Sequence, residues 1–318
     1  MKSFWGFIGC LAVIFCTLSI SQARTRTVTL ALVGDLMLGR GVAEAHMKDG
    51  WDGVFNAISP ELQAADLALG NLESPLVSPT GDLQAANVDN LCAEGTSAHI
   101  LADAGFDILV TANNHRFDCG LSHAGDTVDS LSGAGITTLD ESSSPFEMRI
   151  NGINLVFFAY DDISTTLDVD ETLATIEEAA KEHDIVVVSM HWGMEYQGGP
   201  NRRQEKLAHS MAQAGADLIW GHHPHVLQRI EWIDRKGGQS PALVAYSLGN
   251  ALFDQTFIPD TRQSAVLTVR IDREGVRSMD ISPTIIRLQD HNLDIPDSTT
   301  GRSIFKRLNA NGELDEPR

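Results

Sequence analysis

Short apolar runs recur along the chain at wide intervals, and most end in a polar residue. They are TVTLALVGD (27–35), ADLALGNLE (65–73), FDILVTANNH (106–115), INLVFFAYDD (153–162), DIVVVSMHWG (184–193), DLIWGHHPH (217–225) and ALVAYSLGN (242–250). Rich in Val, Ile, Leu and Phe and mostly uninterrupted by charge, they predict strands buried on both faces. Helical patterns lie between them. SAHILADAGFD and RRQEKLAHSMAQAGAD each close on an alanine–glycine step, which matches a helix ended by glycine. ETLATIEEAAKEHD has acids at its start and a lysine near its end, complementing the helix dipole. Alternating strands and helices predict a layered α/β fold. Beyond Gly249 the pattern changes to SAVLTVRID and SMDISPTIIRLQD joined by REG, a hairpin at a sheet edge. The stretch 293–318 reads as a loose polar tail.

Composition narrows this picture. With 318 residues and 43% hydrophobic content, the chain can bury one large core or two modest ones. The N-terminal MKSFWGFIGCLAVIFCTLSISQA places one lysine before an apolar run from Phe4 to Ile20 and ends on Ser21-Gln22-Ala23. That is the order of a secretory signal peptide, 1–23, and it predicts an exported, periplasmic or cell-envelope protein. The alternative is an uncleaved membrane anchor, since the run is close to the lower limit of about 17 residues for a spanning helix. The folded domain is then 24–292. Export leaves Cys92 and Cys119 in a compartment that permits disulfides, and two cysteines have one intramolecular pairing. A formal net charge of −20 argues against nucleic acid and anionic membrane surfaces as partners.

The candidate chemistry gathers at the C-terminal ends of the runs, where open α/β sheets bind ligands. Asp35, Asn71 with Glu73, Asn113 with Asn114 and His115, His191, the histidines of GHHPH, and Asn250 all stand there. Singly, each has an ordinary explanation as a turn residue, a helix cap or a hydrogen-bonded core histidine. Their shared location carries the case. Clustered neutral imidazoles raise a metal hypothesis. Pro224 disfavours helical geometry at His223 and pushes it toward extended backbone, so His223 and His225 should face one site while His222 points elsewhere.

The ordered set GDLML, NLESPL, ANNHRFDCG, HWGMEY, GHHPH and YSLGN resembles the capsule-synthesis CapA family, the PGA_cap domain of the metallophosphatase superfamily, from about Val28 to Ile286. The resemblance implies a four-layer α/β/β/α sandwich with a metal centre at the strand ends. It also implies a role in synthesis or export of poly-γ-glutamate capsule. By resemblance, Asp35, Glu73, Asn114, His191, His223 and His225 are metal ligands, with Glu73 bridging, and His115 is the general acid. Asn71, Asn113, Glu195, His222 and Asn250 are left to contact substrate or to support the ligands. Met37 departs from the pattern, because the wider superfamily has histidine two residues after the first aspartate; either one ion or two is therefore expected. Mixed carboxylate, amide and imidazole ligation suits Mn, Zn or Fe. Such a centre would hydrolyse a phosphoester or an amide of an anionic envelope polymer. The alternative is a non-catalytic metal-binding subunit of a capsule synthase or export complex. A third class, a structural envelope domain with a decayed site, is opposed by the full run of ligand types.

Overall fold

The computed structural model describes residues 26–47, 50–78, 91–142, 144–312 and 314; the expected signal segment 1–23 lies outside them. In chain order the strands are β1 (Val28–Leu36), β2 (Leu67–Leu72), β3 (Leu76–Val77), β4 (Ala93–Glu94), β5 (Ile108–Val110), β6 (Thr137–Leu139), β7 (Phe146–Ile150), β8 (Ile153–Asp161), β9 (Ile185–His191), β10 (Leu218–His222), β11 (Leu227–Ile233), β12 (Ala242–Leu248), β13 (Asn250–Leu252), β14 (Gln263–Asp272), β15 (Gly275–Ile286) and β16 (Leu293–Asp294). The helices are α1 (Arg40–His46), α2 (Ser59–Ala64), α3 (Ala98–Ala104), α4 (Ala124–Gly133), α5 (Val169–Glu182), α6 (Arg202–Ala214) and α7 (Ser298–Leu308).

Two sheets form the middle of the molecule. One runs β16-β15-β14-β1-β2-β5-β6, with β13 beside β1, and the other runs β11-β12-β10-β9-β8-β7. The charge-poor runs form the parallel interiors, β1-β2-β5-β6 and β8-β9-β10-β12. Alternate side chains split each strand between two cores. Leu30, Leu32, Leu69, Phe157, Val187 and Trp220 meet between the sheets, while Ala31, Val33 and Ala68 pack outward on α1 to α4. On the other outer face Val156, Val188 and Ile219 pack on α5 and α6. The result is the expected four-layer α/β/β/α sandwich.

The helix stops work as anticipated. Gly105 and Gly215 take φ of 106° and 122° at the ends of α3 and α6, and their N–H groups bond back to the last turn. The REG hairpin also forms, pairing β14 with β15. Residues 294–312 are not a loose tail. Asp297 caps α7 by accepting from Thr299 N and Thr300 N, and Ile304 and Leu308, spaced i,i+4, are fully buried in the inter-sheet core. Each such side chain contributes about 1.5–3 kcal/mol. Polar neighbours on the solvent face masked this amphipathic turn in the sequence. Among the described residues no helix is long and apolar enough to cross a membrane.

Candidate metal centre

Strand register builds the site in two rows. In the first sheet Asp35 pairs with Asn71 on β2 and with Asn250 on β13. In the second, His191 stands between Asp161 and His222. Two glycines permit this density. A Cβ at Gly34 would overlap the carbonyl oxygen of Gly249, and one at Gly221 would overlap that of Tyr246. Trp220 Nε1 donates to Val33 O at 3.1 Å and ties one sheet to the other just below the site.

The first sheet supplies carboxylates aimed by amides. Asn71 Nδ2 donates to Asp35 Oδ1 at 2.8 Å and to Glu73 Oε1 at 3.3 Å. Asn71 is itself oriented, because its Oδ1 accepts from Asn113 Nδ2 at 3.2 Å. The second sheet supplies imidazoles. His191 Nε2 lies 2.7 Å from Asn114 Oδ1 and 3.7 Å from Glu73 Oε1. His225 Nε2 lies 3.8 Å from Glu73 Oε2, and its Nδ1 donates to Asn250 Oδ1 at 2.9 Å. Asn250 Nδ2 donates to Thr261 O at 3.0 Å, so its oxygen must face His225, which fixes a proton on Nδ1 and makes Nε2 the nitrogen that titrates or ligates. His223 stacks edgewise on His191 with ring centroids 4.9 Å apart. Two sets of potential ligand atoms each lie within 4.8 Å of one another: Asp35, Glu73 and His191, all buried, and Glu195, His223 and His225, with Glu195 exposed.

Two expectations about GHHPH need correction. His223 and His225 do converge on the site, but not through extended backbone: their φ angles are +92° and +57°. Pro224 removes the helical option at His223, and tertiary bonds choose what is left. His223 N donates to Asp35 Oδ2 at 3.3 Å, and Pro224 O accepts from Tyr196 N at 2.8 Å. His222 does not point elsewhere. As the last residue of β10 it shares the inner face with Trp220, which brings its Nδ1 to 3.4 Å from Asp35 Oδ1.

His115 stands apart from the ligand cluster. Asn113 Oδ1 accepts from His115 N at 3.2 Å and Asp118 N donates to His115 O at 3.0 Å, the sharp turn that lets Asn114 and His115 both approach the centre. His115 Nδ1 donates to Asp118 Oδ2 at 2.9 Å, and that oxygen also accepts from Leu91 N at 3.0 Å. A disulfide joins Cys92 to Cys119, with Cα atoms 5.8 Å apart, and brackets this pair of contacts.

Residues 29–255 match the model of the family described as bacterial capsule synthesis protein PGA_cap. The chain belongs to that family. It is 33% identical over 276 residues to the PGA biosynthesis protein CapA of Bacillus subtilis (strain 168), covering 80% of this chain and 71% of that protein. It is 32% identical over 294 residues to the capsule biosynthesis protein CapA of Bacillus anthracis, covering 84% of this chain and 70% of the relative. A solved structure described as a novel phosphatase from Mycoplasma pneumoniae superposes with a TM-score of 0.52 at 12% identity, covering 90% of this chain and 99% of the other. The sandwich is therefore a metallophosphatase-like fold.

In this PGA_cap member the donor set fits a divalent cation. Glu73 Oε2, His191 Nδ1, His223 Nδ1 and both nitrogens of His222 are buried without a hydrogen-bond partner. Burial and the charge of Asp35 push Glu73 up to about 8. Burial would lower His225, but the charges of Glu73 and Asp35 outweigh it and push it up to about 9. Burial raises Asp35 too, yet His222 and His225 hold it well below the carboxylate range. Without a cation the centre thus keeps its charge down by holding protons on Glu73 and His225. A cation is the other way to neutralise it. Burial, reinforced by His225, lowers His223 to about 4, and burial also depresses His191, so both rings are neutral and free to ligate.

Sequence reasoning missed Arg40 and Tyr196. Tyr196, at φ +62°, lies with its ring 6.4 Å from that of His225 and against Phe257. Arg40 pairs with Asp254 at 2.5 Å and lies over Phe253, which packs on His225. Tyr196 closes the quoted motif HWGMEY and Arg40 lies two residues beyond GDLML, but nothing in their local pattern marks either as part of the site.

Proposed function

We propose that this chain is an exported metal-dependent hydrolase of poly-γ-glutamate capsule or related envelope-polymer biosynthesis. The observation that carries it is His115, a partly exposed imidazole that is held by Asp118 yet stands outside the ligand cluster. In the metal-free centre burial would lower its pKa, but the hydrogen bond to Asp118 and the charge of Glu73 raise it. A site that only stored metal would have no use for it. Asp35, Glu73, Asn114, His191, His223 and His225 would hold one or two ions of Mn, Zn or Fe. Bound there, the ions would supply Lewis-acid activation of a hydrolytic water at neutral pH. The chain's own residues do the rest. Asn71, Asn113 and Asn250 aim the ligands, and His115 delivers a proton to the leaving oxygen or nitrogen while Asp118 fixes its tautomer. The disulfide and the N-terminal sequence support export.

The second reading is a metal-binding accessory subunit that positions a capsule synthase or export complex. Exposed apolar side chains beside the centre favour it: Met194 is 59% exposed and Phe257 68%. One experiment separates the two. Metal-loaded protein is assayed on phosphodiesters and γ-glutamyl peptides, alongside His115→Gln. Hydrolysis of either class, with about a hundredfold loss in the variant and unchanged metal content, supports the enzyme; no turnover by the metal-loaded wild type leaves the accessory reading standing.

A further inference from the structure

His222 is a buried polar side chain beside the centre that the proposed ligand set leaves unexplained. It is fully buried, and neither ring nitrogen has a hydrogen-bond partner. Trp220 packs 4.2 Å away, nearly perpendicular, and covers the ring with apolar surface. A neutral imidazole carries one donor and one acceptor, so burying both unmet is costly unless something else occupies the acceptor. What Nδ1 faces is Asp35 Oδ1, at 3.4 Å. That distance is long for an N–H···O bond, which falls at about 2.7–3.2 Å. It matches two ligands of one ion, since tetrahedral ligands about 2.0–2.1 Å from a metal stand about 3.3 Å apart. Asp35 Oδ1 already has a short donor in Asn71 at 2.8 Å. Met37, two residues beyond Asp35, contributes nothing here, because its Sδ accepts from Gly39 N at 3.1 Å within the outer core.

We infer that His222 Nδ1 is a metal ligand, sharing with Asp35 the ion that the centre holds; the inference rests on the metal reading above. GHHPH then contributes three imidazoles: His223 and His225 from a loop in left-handed geometry, and His222 from the strand end below it. The position of Met37 is answered from the opposite sheet.

The test uses the full chain labelled with ¹⁵N-histidine, with zinc added to metal-free protein. His222→Asn assigns the His222 signals. The expected result is that His222 Nδ1 enters the metal-bound range together with nitrogens of His191, His223 and His225. X-ray absorption at the zinc edge should count one imidazole fewer in His222→Asn, and its zinc affinity should fall by about a hundredfold or more. If the variant does not fold, the wild-type spectrum decides by count, since four histidines rather than three should then enter the metal-bound range. A His222 Nδ1 that keeps its proton while the other three histidines respond overturns the inference and makes the residue a hydrogen-bond donor to Asp35. No response from any of the four overturns the metal reading as well.

Discussion

The two sheets meet at the centre with different chemistry. The first brings carboxylates and the amides that aim them, Asp35, Asn71, Glu73 and Asn113, in one hydrogen-bonded row. The second brings imidazoles, His191, His222, His223 and His225, most of which burial keeps neutral. Neither row is a site alone. Acids without a cation opposite would stay protonated, and buried neutral imidazoles would be left with unused lone pairs. The seam between the sheets is where each meets the other's need.

The sharpest way to break this comparison is to remove one member from each side. Asp35→Ala takes away the anion that sustains the His225 cation, and in metal-free protein it should cost about 3–5 kcal/mol, as for any buried ion pair reduced to one partner. His223→Ala removes a neutral ring and should cost about 1–2 kcal/mol. Both should abolish metal binding. Denaturant melts of the chelated variants check the contrast, and equal losses would show that the two sides are not electrostatically distinct.

Reduction of Cys92–Cys119 tests the first side's dependence on its neighbouring loop. Opening a loop with a sequence separation of 27 should lose about 3.5 kcal/mol. It should also loosen Leu91 N from Asp118 while leaving metal content unchanged, because no proposed ligand lies within the bridge's own contacts. Melts and elemental analysis with and without reductant read both outcomes; metal loss on reduction would place the bridge inside the centre.

Joining the two sides should stabilise the fold by mass action. At a hundredfold excess of Mn or Zn over the dissociation constant the gain is about 2.7 kcal/mol. Thermal melts with metal and with chelator measure it, and coincident curves would mean that the rows do not share a cation.

The smallest effect is one of position on the pH axis. An unfolded histidine takes its proton near 6.5, whereas His223 is held at about 4 and His191 and His222 are also lowered. As pH falls below about 6.5 the unfolded chain binds these protons first, and stability is lost. Glu73, held up at about 8, acts in the opposite sense, because its native form keeps a proton that the unfolded form has released. His225, held up at about 9, adds stability that is complete below about 6.5 and lost as pH rises through 9. Three imidazoles oppose one carboxyl on the acid side, and Glu73 and His225 act together on the alkaline side. Metal-free protein should therefore be most stable near pH 6.5, and metal should move that optimum upward, since ligands must be deprotonated to bind. A metal-free optimum at pH 5 or below, in melts across the range, would mean that the imidazoles are not buried neutral.

The pattern of residues determined a large part of this on its own. Charge-poor runs such as DIVVVSMHWG can be satisfied only as strands covered on both faces, and polar residues at their ends must then gather where the strands stop. Layering, the helix stops at Gly105 and Gly215, and most of the candidate ligands follow from that local logic. Asn114 and His115 needed a turn to share the site, and the Asx-rich NNHRFDCG supplied it. Tertiary structure decided what depends on distant partners. The backbone at His223 and His225 took positive φ because Asp35, nearly two hundred residues earlier, and Tyr196 hold the loop. His222 turned inward because strand alternation places it with Trp220, which is anchored to the other sheet. The helix Ser298–Leu308 formed because the open side of the inter-sheet core accepts Ile304 and Leu308. In each case the short-range preference was weak, and contacts made across the fold supplied the larger free energy.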